Sequence, residues 1–200
     1  MRQCAGMSPE RGLTISEIAS DSSRLEGSIV LVTGPMAAGK STIANALAAT
    51  FPKGVHVEGD VFRRSIVAGR IEMTSEPSDD AIAQLRLRYR LTAKVAEQYA
   101  SAGYTVVVED VVAGRLLGEF VGLFAHRPLH LVVLLPDENA ITRREADRLE
   151  KGYDNWTVSS LYRIFAEETE RLGLWLDTSA LTPQSTVLEI CSRASESALP

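Results

Sequence analysis

Ile29-Val30-Leu31-Val32-Thr33-Gly34-Pro35-Met36-Ala37-Ala38-Gly39-Lys40-Ser41-Thr42 decides the fold. It opens as a short apolar run of strand length. A G-x-x-x-x-G-K-S pattern follows at once and leads into an alanine-rich stretch with helical character over Lys40 to Thr50. In that context Gly34 and Gly39 let the backbone wrap closely. Successive N–H groups and the helix N-terminus then point at one anionic centre, and Lys40 adds a mobile positive charge. The centre suits the β-phosphate of a nucleotide, so Gly34, Pro35, Met36, Ala37, Ala38, Gly39, Lys40, Ser41 and Thr42 are the expected phosphate-binding residues. Ser41 is expected to offer its hydroxyl to Mg2+, a hard cation that takes oxygen ligands.

Outward from this loop, strand-length apolar runs recur at Val55-His56-Val57, Val106-Val107-Val108, Leu131 to Leu135 and Leu174-Trp175-Leu176. None alternates with polar residues, which is the mark of parallel strands covered on both faces. Helical stretches lie between them, at Asp60 to Ala68, Asp79 to Ala102, Arg115 to Ala125, Asp137 to Lys151 and Val158 to Arg171, with a last one at Pro183 to Ser192. Strict alternation of strand and helix predicts βαβ units and a doubly wound, three-layer α/β/α domain. Residues 28–200 are assigned to that domain, and the Ser-, Gly- and charge-rich residues 1–27 to a flexible or loosely docked extension.

The 200 residues contain 45% apolar and 24% charged side chains, the composition of one globular domain. Twenty-one Lys+Arg against 26 Asp+Glu leave a net charge of −5, which argues against nucleic acid or an anionic membrane as partner and favours a small ligand. Cys4 and Cys191 form no bridge framework, and with three scattered histidines they make no metal-ligand spacing. Reduced thiols, no membrane-length apolar run and no signal-peptide pattern predict a cytoplasmic protein.

A phosphate loop alone does not separate GTPases, motor ATPases and kinases. The guanine-reading Asn-Lys-x-Asp pattern is absent, and Glu58-Gly59-Asp60 follows the second strand twenty residues after Lys40. Asp60, at a helix start, has the position of a general base for an acceptor hydroxyl, and equally that of an N-cap. Glu109 and Asp110 end the third strand, where a carboxylate can hold Mg2+. Adjacent strand residues point to opposite faces, so one of the two is expected to do so, and Asp110 is the candidate. Arg144 and Arg148 share a helix face and offer planar donors to a transferring phosphoryl group. Pairing with Glu145, Asp147 and Glu150 on a solvated helix is the alternative. Gly152, Tyr153 and Asn155 would hinge a lid near residues 140–157.

With the phosphate loop, Asp60, Val107-Val108-Glu109-Asp110-Val111, Arg144-Glu145-Ala146-Asp147-Arg148 and Leu176-Asp177-Thr178 in collinear order, the chain resembles the chloramphenicol phosphotransferase-like branch of P-loop kinases. That group lies beside gluconate and shikimate kinases. The resemblance implies a five-stranded parallel sheet of order 2-3-1-4-5, ATP as co-substrate with Mg2+, and phosphorylation of a small-molecule hydroxyl. It implies catalytic roles for Lys40, Asp60, Arg144 and Arg148, with Arg144, Asp177 and Thr178 on the nucleotide side. Acceptor contacts are expected from Asp60, Arg63, Arg64 and Asp110, and from Arg88 among the long helix's arginines. One segment departs from the family. Phe62 to Arg70 is strongly basic, which suits an anionic or polyhydroxyl acceptor better than a neutral apolar one. A polynucleotide-end or RNA-related kinase and a nucleotide-binding regulatory module with little turnover are the competing expectations.

Overall fold

The computed structural model describes residues 22–74, 76–124, 128–146 and 157–200. Five parallel strands form one sheet: β1 (Ile29–Thr33), β2 (Gly54–Glu58), β3 (Thr105–Glu109), β4 (Leu129–Leu134) and β5 (Leu174–Leu176), in the order β2-β3-β1-β4-β5. In register, Ile29 pairs with both Val106 and Leu129, so β1 is central and buried along its whole length. Alternate residues supply two separate cores. Leu31, Val106, Val108 and Leu131 face one layer of helices, and Val30, Val32, Val107 and Val132 face the other.

The second of these layers holds α1 (Lys40–Ala48), whose Ile43 and Leu47 are buried, and α7 (Pro183–Ser192), which contributes Val187 and Ile190. The other layer holds the long α3 (Asp79–Ser101) and α4 (Leu116–Val121). There Tyr89, Phe120 and Phe124 make a tilted and an edge-on ring contact at 4.8 and 5.1 Å. Short α2 (Asp60–Arg64) follows β2, α5 (Glu138–Ala146) follows β4, and α6 (Val158–Arg163) precedes β5. Ser78 caps α3 by accepting from the Ala81 N–H, and Thr182 caps α7 with Pro183 in its first turn.

Three features refine the sequence expectation. The helix expected over Val158 to Arg171 changes at Ile164 into a π-helical turn, Ile164–Glu168. Upstream of residue 28, Leu25 is fully buried and the Gly27 N–H donates to Thr105 Oγ1 at 2.9 Å, so residues 22–27 dock on the domain. At the other end, α8 (Ala194–Ser197) returns the chain to β4, where Ala198 bridges antiparallel to His130.

His130 is buried there, with Nδ1 2.9 Å from Ser197 Oγ. Burial pushes its pKa below the ordinary value, outweighing a backbone hydrogen bond near Ala194 that acts the other way. The unfolded chain therefore takes up a proton first as pH falls. This contribution to stability is complete above about pH 6.5 and is lost as pH drops through the lower folded value. His130→Asn is expected to flatten the fall in urea-unfolding free energy between about pH 7.5 and about pH 5. Parallel profiles for the two proteins would dismiss His130 as the source.

Candidate active site

The phosphate loop lies at the C-terminal end of the central strand, where open α/β sheets bind ligands. Thr33 anchors its start: Thr33 Oγ1 donates to the Val112 carbonyl at 3.1 Å and accepts from the Val112 N–H at 3.0 Å. Gly34 has φ +149°, and a Cβ there would run into the Leu134 carbonyl, so no other residue fits. Ala37 takes φ +56°, the one non-glycine at positive φ among the described residues, which puts backbone strain at the loop's tip. Met36 and Ala38 are buried beneath it. Lys40 is buried as well, and its ammonium donates to the Pro35 carbonyl at 3.0 Å, so the charge lies across the loop's concave side.

From the first turn of α1, Ser41 Oγ donates to Glu109 Oε1 at 2.9 Å. The last residue of β3 thus faces the phosphate loop, and the following Asp110 faces α3, as pleat alternation requires. The expectation that Asp110 stands beside Ser41 is corrected by this geometry. Asp110 is buried, accepts from Arg88 Nε at 2.8 Å, and makes a second, closer contact with Arg88 Nη2. Its carboxylate sits against Gly59, where a Cβ would collide with it. A glycine between β2 and Asp60 is therefore required by the acid after β3.

Asp60 opens α2 and accepts from Arg63 Nε at 2.7 Å, Arg64 Nη1 at 3.1 Å and Arg88 Nη1 at 3.0 Å. Arg88 thereby ties Asp60 and Asp110 together. Burial pushes the Asp60 pKa up, but the Arg63 hydrogen bond and the charges of Arg88, Arg63 and Arg64 outweigh it and hold the carboxyl below its ordinary value. The basic segment after Asp60 is likewise matched by acids. Arg63 also reaches Glu72 at 2.8 Å, Arg64 pairs with Glu58 at 2.8 Å, and Arg70 pairs with Glu72 at 2.9 Å.

On the β5 side, Arg144 Nη2 donates to the Thr178 carbonyl at 2.8 Å, so the two residues expected at the nucleotide do meet. Thr178 is buried and its Oγ1 has no hydrogen-bond partner, whereas exposed Asp177 accepts from the Ser179 N–H at 2.9 Å and shapes the turn. Arg148 and the Gly152, Tyr153 and Asn155 hinge lie outside the described residues.

Beside Asp60 a cavity of about 560 Å3 opens between α2, α3, the segment after β3 and the π-helical turn. Its walls are mainly apolar, including Phe62, Ile66, Leu85, Tyr89, Leu116 and Ile164. Thr169 joins two of these walls, donating to the Ile164 carbonyl and accepting from the Gly114 N–H, each at 2.8 Å. Sequence reasoning named Glu109 and Asp110 together but leaned to Asp110 as the acid beside Ser41, and it missed Glu72 and this cavity. Only for Glu109 was there a signal, the alternation of side chains along β3.

The AAA domain family model matches residues 29–161, which is more than half the chain and runs from β1 into α6. The chain belongs to this family. No curated protein sequence matches the AAA domain protein significantly. Among solved structures it is similar to a sugar kinase from Janibacter sp. HTCC2649 (18% identity, 84% of this chain and 95% of that one, TM-score 0.62). It is also similar to a Mycobacterium tuberculosis APS kinase in complex with AMPPNP and APS (18%, 85% and 98%, TM-score 0.61). A third is a gluconokinase from Sinorhizobium meliloti 1021 (20%, 84% and 92%, TM-score 0.57). At such identities the likeness is one of fold. The AAA domain has the P-loop kinase fold, with the sheet order expected from sequence. No described helix is long and apolar enough to cross a membrane.

Proposed function

We propose that this AAA domain protein is an ATP- and Mg2+-dependent kinase that transfers the γ-phosphoryl group to a hydroxyl of a small molecule in the cytoplasm. The observation that carries it is the juxtaposition of two half-sites at the same end of the sheet, after β1 and β3 and after β2. The phosphate loop with Lys40, Ser41 and Glu109 is one, and Asp60, whose partners Arg63 and Arg88 line a ligand-sized cavity, is the other. Ser41 and Glu109 present two hard oxygen donors within 2.9 Å of each other, a set that fits Mg2+. When bound, that ion would spread the negative charge of the phosphates.

Loop N–H groups and Lys40 hold the phosphates, and Asp60 orients the acceptor hydroxyl and takes its proton. As the acceptor oxygen bonds to the γ-phosphorus, the bond from that phosphorus to the β,γ-bridging oxygen breaks. ADP leaves, and the proton passes from Asp60 to solvent. Arg144 and Arg148 would close on the transferring group from the lid. A polynucleotide-end kinase would need a basic groove along a strand. Carboxylates pair with Arg63, Arg64 and Arg70, so this segment offers no such groove.

ATP with Mg2+ is expected to raise the melting temperature, since a ligand bound only by the folded state adds about 2.7 kcal/mol at a hundredfold excess over Kd. Lys40→Ala should abolish most of the shift, and Glu109→Gln should raise the Mg2+ concentration needed for it. Equal shifts in wild type and Lys40→Ala, measured by scanning calorimetry, would refute the assignment.

A further inference from the structure

Acceptor chemistry can be argued from the charge balance around Asp60, on top of the kinase reading just given. Four arginines stand there, Arg63, Arg64, Arg70 and Arg88, and four carboxylates meet them: Asp60, Glu58, Glu72 and Asp110. Each guanidinium already has an acid partner within 3 Å. Arg88, 7% exposed, is enclosed between two of them. An acceptor bearing phosphate, sulfate or carboxylate would have to displace a protein carboxylate from its arginine, leaving that acid unpaired in a half-buried site. At the rim, Arg115 and Glu168 add one exposed charge of each sign and leave the balance at zero.

Past these pairs the cavity walls are mainly apolar. Leu87, Leu91 and Ile71 line the opening and remain 42%, 39% and 37% exposed. Large aliphatic side chains left at the edge of an apolar cavity mark a surface that a ligand covers. The volume, about 560 Å3, is in the range of pockets that enclose most of a drug-sized molecule.

We infer that the acceptor is an uncharged alcohol with a substantial apolar body, which lies in the cavity between α2 and α3 and presents its hydroxyl to Asp60. The arginine-rich segment is thus a frame for the catalytic acid, and specificity comes from the apolar walls. Transfer on this acceptor follows the balance already written, the alcohol proton leaving through Asp60 as the oxygen bonds to the γ-phosphorus.

Two probes of nearly one shape separate the possibilities: 1-pyrenebutanol, an uncharged alcohol, and 1-pyrenebutyrate, its carboxylate counterpart. Fluorescence titration of the full chain should show the alcohol binding at least about tenfold more tightly, because the anion must shed water and finds the arginines beside Asp60 already paired with acids. Leu87→Glu and Ile71→Glu, both at exposed positions that do not threaten folding, should each weaken the alcohol by about tenfold or more. The ATP-induced thermal shift should persist in both. Equal or tighter binding of the carboxylate, failure of the alcohol to bind, or binding insensitive to both substitutions would overturn the inference. The kinase reading fails separately. Alcohol binding without an ATP shift or transfer from ATP sinks that reading alone, whereas transfer to gluconate with no alcohol binding sinks this one alone.

Discussion

Arg88→Leu is expected to destabilise the protein by about 3–5 kcal/mol, the usual loss when one partner of a buried ion pair is removed. For a domain of this size that is a fall of roughly 6–20 °C in melting temperature. The reason is specific. Asp110 is buried against Gly59 and holds Arg88 through two contacts, so the substitution leaves a carboxylate with neither water nor a counter-ion. Adding Asp110→Asn should recover part of the loss, since an amide carries no charge to strand. Urea unfolding of the single and double variants reads this directly. A loss below about 1 kcal/mol in the single variant would mean that the pair is solvated and contributes as little as a surface bridge.

Asp60→Asn is expected to lower kcat by about 10²-fold or more while ATP binding is kept, the scale of a lost general base. The amide preserves the shape of the helix start and removes only basicity and charge. The arginines around Asp60 make a second readout available. They hold its pKa below the ordinary carboxylate value, so the acid limb of the kcat/KM profile should lie below that value too. Arg63→Met removes the hydrogen bond and one of the charges that lower the pKa, so the limb should move to higher pH. Turnover within a factor of two for Asp60→Asn would leave Asp60 as part of an ion-pair frame only.

What could be read in advance follows from how locally each feature is encoded. The strands and the phosphate loop are contiguous patterns, an apolar run or a fixed spacing of glycine and lysine, and they fall at or within two residues of the expected positions. Glu109 and Asp110 are adjacent acids that differ only in which face of the sheet they reach. That depends on the phase of β3 against α1 and α3, which no short window contains. The pairing of Arg63 with Glu72 was hidden because Glu72 lies in a stretch without periodicity, nine residues beyond it. The π-helical turn at Ile164 escaped because one extra residue per turn leaves the apolar spacing of Leu161 and Phe165 intact. Leu25 is a single apolar residue in a polar stretch, and only the finished sheet shows that it has a socket.

The return of the chain to β4 has a practical side. The Leu199 N–H donates to the Leu129 carbonyl at 2.9 Å, and Ala198 pairs with His130, so the last residues are fastened beside the start of that strand. The phosphate loop, Asp60 and Glu109 lie at or just beyond the opposite ends of the strands. A reporter, tether or surface linkage joined after Pro200 therefore departs from the far pole of the molecule. Immobilised in that way, the protein presents both the phosphate loop and the cavity mouth to solution.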